Sequence, residues 1–485
     1  MDNIDYTLWE GVIGLEVHAQ LKTQSKQFCP DPYQYGSSPN TQVGPISLAH
    51  PGALPMPNKE AIKLAVKMGI ACGSTIHHKT WFARKNYFYA DLPKGYQITQ
   101  FVTPICTLGE IKINTEIGGA KSITLDKIII EEDSGKSIHD IDPFYSLIDL
   151  NRAGVPLIEI VSNPDIRHPE EANAYLTEIR KIVRYLDICD GNMEEGSLRC
   201  DANVSVRLKG TTGYNQRVEI KNLNSIRNVQ RAITYEIKRQ IEVYCAGGRI
   251  TMDTMGFDAM KGTTHVLRSK EQANDYRYFP EPDIPPFVLT DQFIHDIKAD
   301  MPDMPEVLKH RLIEEHGLSD YDAAVIVSER ESVEFYYKAT EFTKNYKSIT
   351  NWINGPIRGY LNENALSFEQ LTITPKSISD LINQIEAGTI NFSVASTKVF
   401  PELTINPNES VSAIIERLNL SLTNDDDQLL VWVKEAVAAN PAKVAEYKSG
   451  KKGLIGMFMG DVMKRSNGKA NPKTATDLLT KELEG

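Results

Sequence analysis

No run of about 18 consecutive apolar residues occurs, so no transmembrane helix is expected. The opening "MDNIDYTLWEGVIGLEVH" lacks a basic segment followed by an apolar one, which argues against secretion and for a cytoplasmic protein. The six cysteines (Cys29, Cys72, Cys106, Cys189, Cys200 and Cys245) form no C-x-x-C pair, so a disulfide scaffold is not indicated and no zinc site is expected. No G-x-x-x-x-G-K-[ST] string is present ("IGGAKS" fails the spacing), which removes a P-loop; G-x-G-x-x-G and the protein-kinase motifs are missing too. Neither a Gly/Ser-rich amidase signature nor a placed Cys–His pair for glutaminase work is found. Any phosphate chemistry must therefore use side-chain cations, with metals held on carboxylates.

What is present is an ordinary globular composition, 41% hydrophobic and 24% charged, over 485 residues, too long for one core. The net charge of −11 argues against a general nucleic-acid binder, but it is unevenly spread. Residues 441–485 hold nine Lys/Arg against five Asp/Glu, leaving that segment at +4 and the rest at −15. Up to about residue 290 the chain alternates like strands and is rich in Pro and Gly; beyond it, capped helical segments follow one another. Asn440–Pro441 and Asn471–Pro472 read as helix starts, and Gly450 and Gly468 as helix stops. Three domains are expected: 1–292, 293–408 and a basic helical tail, 409–485.

Three strand-like stretches carry polar faces of a directional kind. In "EGSLRCDANVSVR" Arg199, Asp201, Asn203 and Arg207 alternate with Leu198, Cys200, Ala202, Val204 and Val206. In "GLEVHAQLKT" Glu16 and His18 share one face, and a carboxylate two residues from an imidazole suits Mg²⁺ or Mn²⁺; an exposed strand face would show the same pattern. "RVEIKN" puts Glu219 and Lys221 on one face, and pairs antiparallel with the first stretch through the "KGTTGYNQ" turn. "KIIIEEDSGK" delivers Glu131, Glu132 and Asp133 from an apolar run, and "VPLIEIVSNP" places Glu159 inside β-branched residues, where an unpaired carboxylate is costly. One sheet would gather Glu16, His18, Glu131, Glu159, Asp201 and Glu219 around a metal–phosphate site. Cationic candidates for ATP are Arg152, Arg199, Arg268, Lys270 and Arg277, the last three from "LRSKEQANDYRYFPEPDIPP". "WFARKNYFYADLPKGYQITQ" interleaves aromatics with Arg84, Lys85 and Lys94, which suits a nucleotide or a single-stranded nucleic-acid end, or equally an aromatic strand in a core.

Taken in order, "GLEVHAQLKT", "PGALPMPN", "RKNYFYADLPKGYQITQ", "EEDSGK", "DLNRAGVPLIEIVS", "EGSLRCDANVSVR", "EIKNLNS" and "DYRYFPEPD" resemble the B subunit of the tRNA-dependent amidotransferase, and "GKKGLIGMFMGDVMKRSNGKANP" resembles its tRNA-binding tail. The resemblance implies an α+β fold: a glutamine-synthetase-like cradle domain with an antiparallel sheet, an all-helical domain and a small helical tail. It implies ATP-dependent phosphorylation of the side-chain carboxylate of Glu-tRNA(Gln) or Asp-tRNA(Asn), then amidation with ammonia from an amidase-type A subunit, a small C subunit completing a heterotrimer. Mg²⁺ (or Mn²⁺) would be held by Glu16, His18, Glu131, Glu132 and Glu219. Glu16, His18, Arg152, Glu159, Arg199, Asp201 and Lys221 would serve catalysis, and Lys85, Arg199, Asn203, Arg268, Lys270 and Arg277 the nucleotide. Departures are also visible. Where relatives carry a four-cysteine zinc ribbon only Cys29 remains, with Gly44 and Ser47 near the second pair's place. The family's Gln-Glu-Thr-Arg reads Met252-Asp253-Thr254-Met255, and Ala83 and Ala90 replace an Asp and a Pro. A non-catalytic, tRNA-holding subunit of the same complex is the alternative these losses suggest.

Overall fold

The structure, a computed structural model, describes residues 4–269, 275–422, 426–466 and 468–484. It separates into two compact units, Met1–Met304 and Pro305–Gly485.

The first unit is organised by a ten-stranded sheet. Its strands in chain order are β1 (Trp9–Gln20), β2 (Thr75–Ile76), β3 (Cys106–Thr107), β4 (Glu110–Thr115), β5 (Gly119–Glu132), β6 (Pro156–Ser162), β7 (Leu198–Leu208), β8 (Val218–Leu223), β9 (Asp253–Asp258) and β10 (Thr263–Ser269). In space they run β10-β9-β8-β7-β1-β6-β5-β3-β2, with β4 hairpinned onto the first half of β5. All pairings are antiparallel except β8 with β9, so the sheet is mixed rather than purely antiparallel. The long helix between β8 and β9 supplies the crossover a parallel neighbour requires.

Three helices cover one face. α1 (Lys59–Ala71) is capped by Asn58, whose side chain accepts from the Glu60 and Ala61 N–H groups; α2 (Pro169–Tyr185) begins on a proline; α3 (Ile226–Cys245) is capped by Ser225. Their apolar stripes (Ala61, Leu64 and Met68; Leu176 and Ile179; Val229 and Ile233) form one core with Leu15, Val17 and Ala19 of β1 and Cys200, Ala202 and Val204 of β7. Because side chains alternate, burying these positions leaves Glu16, His18, Arg199, Asp201 and Asn203 on the opposite face, free of helices. A further helix, Asp291–Ala299, joins the same core through Ile297.

Around Cys29, Asp31 Oδ2 accepts from Gly44 N (2.8 Å), Ser47 Oγ (2.6 Å) and Cys29 Sγ (3.2 Å). Lys26, fully buried beside them, donates to Gln42 O at 2.8 Å.

The named elements among the described residues of the second unit are all helices. Its last four longer helices, Asp426–Ala438, Pro441–Lys448, Ile455–Arg465 and Pro472–Glu484, close around Leu429, Val433, Tyr447, Phe458, Val462 and Leu479. Gly450 (φ 112°) and Gly468 (φ 82°) terminate helices in a backbone region that favours glycine. The Asn440 side chain does not cap the helix it precedes; it donates back to Ala436 O at 3.1 Å.

Candidate active site

The uncovered face of the sheet forms a cavity of about 910 Å³. Strand register decides who meets whom. His18 lies opposite Glu159 on β6 and Arg199 on β7; Glu16 lies opposite Asp201; Leu157 opposite Glu131 brings β5 onto the same face. Two carboxylate groups result. In one, His18, Glu131 and Glu159 offer ligand atoms within 4.8 Å of one another; His18 Nε2 stands 3.4 Å from Glu131 and 3.9 Å from Glu159. In the other, Glu16, Asp201 and Glu219 do the same.

The second group is braced by its neighbours. Asn203 donates to Glu16 Oε1 at 2.8 Å, and Thr254 Oγ1 lies 3.4 Å from Glu219 Oε2. Lys221 bridges Asp201 (2.5 Å) and Glu219 (2.8 Å). Burial would lower the ammonium's pKa, but these two carboxylates outweigh it and hold it raised. Glu159 shows the opposite balance: burial, with Glu131 and Glu16 near and only His18 and Lys85 opposing, pushes its carboxyl up to about 7. So many oxygens crowded on one desolvated face form a hard, acidic donor set of the kind that suits Mg²⁺ or Mn²⁺. The residues present fit such ions.

The cations cluster at the rim of the first group. Asp133, just past β5, accepts from Arg199 Nη1 at 2.7 Å and Gln20 Nε2 at 3.0 Å, with Arg152 Nε at 3.6 Å. Burial alone would raise the Asp133 carboxyl; the two guanidiniums and these hydrogen bonds hold it below the usual aspartate value. Arg152 also donates to the Ser134 and Gly135 carbonyls at 3.0 and 2.7 Å, which fixes the turn after β5. Lys85 lines the cavity with its ammonium 5.0 Å from the Tyr276 ring centre and 5.9 Å from that of Tyr87. Burial lowers its pKa, yet Glu131, Tyr278 and Glu159 more than compensate and keep it raised.

Of the residues expected from sequence, the cavity brings together Glu16, His18, Lys85, Glu131, Arg152, Glu159, Arg199, Asp201, Glu219, Lys221 and Arg268. Three expected positions lie outside the lining of this cavity. Glu132, one residue on from Glu131, points through the sheet; it is buried with the Lys94 ammonium and the Ile98 N–H (2.9 Å), away from the donor groups. Arg277 is exposed and outside the cavity lining. Asn203 orients Glu16 rather than standing in the large cavity. Lys270 lies outside the described residues. Asp133 was missed as the anchor of both arginines. The alternation of Glu131, Glu132 and Asp133 already put it on Glu131's side of the strand.

A model described as the GatB/GatE catalytic domain matches residues 11–295, more than half of the chain. The chain belongs to the GatB family. A second model, described as a GatB domain, matches residues 334–483. The B subunit of the aspartyl/glutamyl-tRNA(Asn/Gln) amidotransferase of Alkalilimnicola ehrlichii is 47% identical over 477 residues, covering 98% of this chain and 99% of that one. The B subunits of the same name from Thioalkalivibrio sulfidiphilus and Chlorobaculum tepidum are 46% and 47% identical, over 98% of this chain and 100% and 99% of theirs. In the segment Met252–Met255, Met255 is buried in the core and Thr254 braces Glu219, so that part of β9 packs the sheet beside the site.

Proposed function

We propose that this chain is the B subunit of a glutamine-dependent tRNA amidotransferase, a carbon–nitrogen ligase that works within a multisubunit complex. Its substrates would be ATP and a tRNA misacylated with glutamate or aspartate. One observation carries the reading: two three-membered donor groups stand side by side on one sheet face, with Lys85, Arg152, Arg199 and Lys221 around them.

In the first step an oxygen of the aminoacyl side-chain carboxylate attacks the γ-phosphorus of ATP, forming an acyl phosphate and releasing ADP. Ammonia then attacks the carbonyl carbon, the C–O bond to phosphate breaks, and inorganic phosphate leaves with the amide formed. The first step is needed because a carboxylate is a poor acyl donor. Arg199 and Arg152, held in place by Asp133, offer charged donors to phosphoryl oxygens as negative charge shifts towards ADP. Lys221 bridges Asp201 and Glu219 and holds the two carboxylates in place. Lys85, set among aromatic rings, places a desolvated cation at the cavity wall, where an incoming carboxylate would be attracted. His18, Glu131 and Glu159, and Glu16, Asp201 and Glu219, would hold Mg²⁺ ions. Such ions supply neutralisation of the triphosphate and polarisation of the transferred group.

Residues 1–292 would then form a catalytic cradle, 293–408 a helical domain and 409–485 a tRNA-holding tail. Ammonia would come from an amidase-type A subunit, with a small C subunit bracing the pair. The test is amide formation by the reconstituted complex from ATP, glutamine and each misacylated tRNA. Production of glutaminyl- or asparaginyl-tRNA with matched ADP release is expected. tRNA binding with no ATP turnover would support the scaffold alternative instead.

A further inference from the structure

The stripe of α2 turned away from the core carries Thr177, Arg180 and Arg184, all exposed. The two arginines start one helical turn, about 5.4 Å, apart. Both then lie across the loop that follows the helix. A Cβ built on Gly191 would fall 2.9 Å from Arg180 Cγ and 3.2 Å from Arg184 Cγ, so the two stems pack on one buried glycine. Gly191 has φ 69°, where a side chain is disfavoured, and its carbonyl accepts from Arg180 Nε at 2.8 Å. Helix and loop together fix where the two guanidiniums stand.

The acids nearby are engaged elsewhere. Asp187 pairs with Lys22, and Asp190 Oδ1 accepts from Asn192 N at 2.9 Å and from the Ser197 hydroxyl. Among the described residues neither arginine has a carboxylate within ion-pair distance. The pair is therefore a concentration of unneutralised positive charge on an acidic chain. Desolvation against the loop, and then the Arg184 charge, lower the Arg180 pKa, with Asp190 opposing them. The same loop runs on through Met193, Glu194, Glu195 and Gly196, which line the large cavity. The arginines thus stand on the corner of the fold that leads into the site.

We propose that Arg180 and Arg184 hold the phosphate backbone of the acceptor stem of the substrate tRNA while its aminoacyl end lies in the cavity. The proposal rests on the reading that the cavity acts on an aminoacyl group at a tRNA 3′ end. Charge and shape favour this partner, because planar guanidinium forks match phosphate oxygens. Two forks one helical turn apart can meet one phosphate or consecutive phosphates of a single strand. Backbone contacts position a nucleic acid without reading its sequence. The pair would therefore place the stem of either misacylated tRNA, independently of the basic tail.

The test uses the reconstituted complex with Arg184→Gln, Arg184→Lys and the double variant Arg180→Gln/Arg184→Gln. Affinity for misacylated tRNA and for an aminoacylated acceptor-stem minihelix is measured at about 50 and about 200 mM salt, with the ATP KM alongside. Arg184→Gln is expected to weaken both RNAs about tenfold at the lower salt, the loss of one charge-assisted hydrogen bond. One phosphate contact adds about 0.9 to the slope of log affinity against log salt, so that defect should shrink about threefold at the higher salt. Arg184→Lys should keep the slope, the ATP KM should hold, and Glu-tRNA(Gln) and Asp-tRNA(Asn) should suffer alike. Arg184 is exposed, so its replacement leaves the fold intact. An unchanged affinity and salt slope in the double variant overturns the proposal. Weaker subunit assembly with normal tRNA affinity once assembled also overturns it, assigning the pair to carboxylates of a protein partner. A loss on intact tRNA with minihelix binding unchanged overturns it too, moving the contact away from the acceptor stem. If the wild-type complex forms no amide on misacylated tRNA, the proposed function itself falls, a result distinct from all of these.

Discussion

Replacing Asp133 by Asn removes the negative charge that two arginines share. The carboxylate accepts a 2.7 Å bond from Arg199 and a 3.0 Å bond from Gln20, with Arg152 at 3.6 Å. Breaking a fully buried ion pair from one side costs about 3–5 kcal/mol. Here the Arg199 and Arg152 side chains keep 32% and 29% exposure, so water can recover part of their solvation. A charge-assisted hydrogen bond contributes about 1.5–3 kcal/mol, and the asparagine keeps one acceptor oxygen. We expect a loss of about 2–3 kcal/mol, of which about 1.5 kcal/mol or more is coupling to Arg199. Urea unfolding of wild type, Asp133→Asn, Arg199→Gln and the double variant gives this coupling directly. In the reconstituted complex, Asp133→Asn should also raise the ATP KM, because Arg199 loses its anchor. Strictly additive single variants, or an unaltered unfolding midpoint for Asp133→Asn, would refute the assignment of Asp133 as the anchor.

Adjacent acids on β5 should behave oppositely: Glu131→Gln should abolish phosphoryl transfer with little loss of stability, while Glu132→Gln should lower stability by about 1–3 kcal/mol and leave transfer measurable, because its partner Lys94 sits on the other side of the sheet. Parallel ADP-release and unfolding assays separate the two. Glu171 is buried on α2, where burial would raise its pKa but the Arg167 N–H and Lys121 hold it below the usual glutamate value. Its contribution is therefore complete above about pH 4.3 and is lost as pH falls through the lower folded value. The unfolding-midpoint gap between wild type and Glu171→Gln should be constant from pH 7 to 5 and shrink below about pH 4.3; a gap that widens on acidification would contradict the pairing. Deleting residues 409–485 should weaken tRNA affinity in a filter-binding assay while ATP binding by the first unit is kept.

Much of the site could be read from strand alternation, because a period of two assigns faces without knowledge of the fold. Glu16 with His18, Arg199 with Asp201, and Glu219 with Lys221 each share a face in sequence, and the register brings those faces together. The same rule separated Glu132 from Glu131, yet three consecutive acids drew attention to their charge instead of their parity. Arg277 and Asn203 show a different limit. Arg277 sits at φ 45° and is exposed outside the cavity that its neighbour Tyr276 lines, and Asn203 meets Glu16 only across the β1–β7 pair. Neither contact leaves a local pattern. The parallel pairing of β8 with β9 depends on a helix packing back across the sheet, and no short-range signal specifies it. The helical second unit was easier: its starts at Pro441 and Pro472 and its stops at Gly450 and Gly468 are local chemistry.

The central claim is that this cavity activates a carboxylate by phosphorylation. It is tested most directly by withholding ammonia from the reconstituted complex and trapping the acyl phosphate with hydroxylamine on misacylated tRNA. Wild type should yield aminoacyl hydroxamate at the side chain in step with ADP release, and His18→Ala and Glu131→Ala should yield neither. Hydroxamate formation at the wild-type rate in both variants, or amide formation without ADP release, would contradict the account.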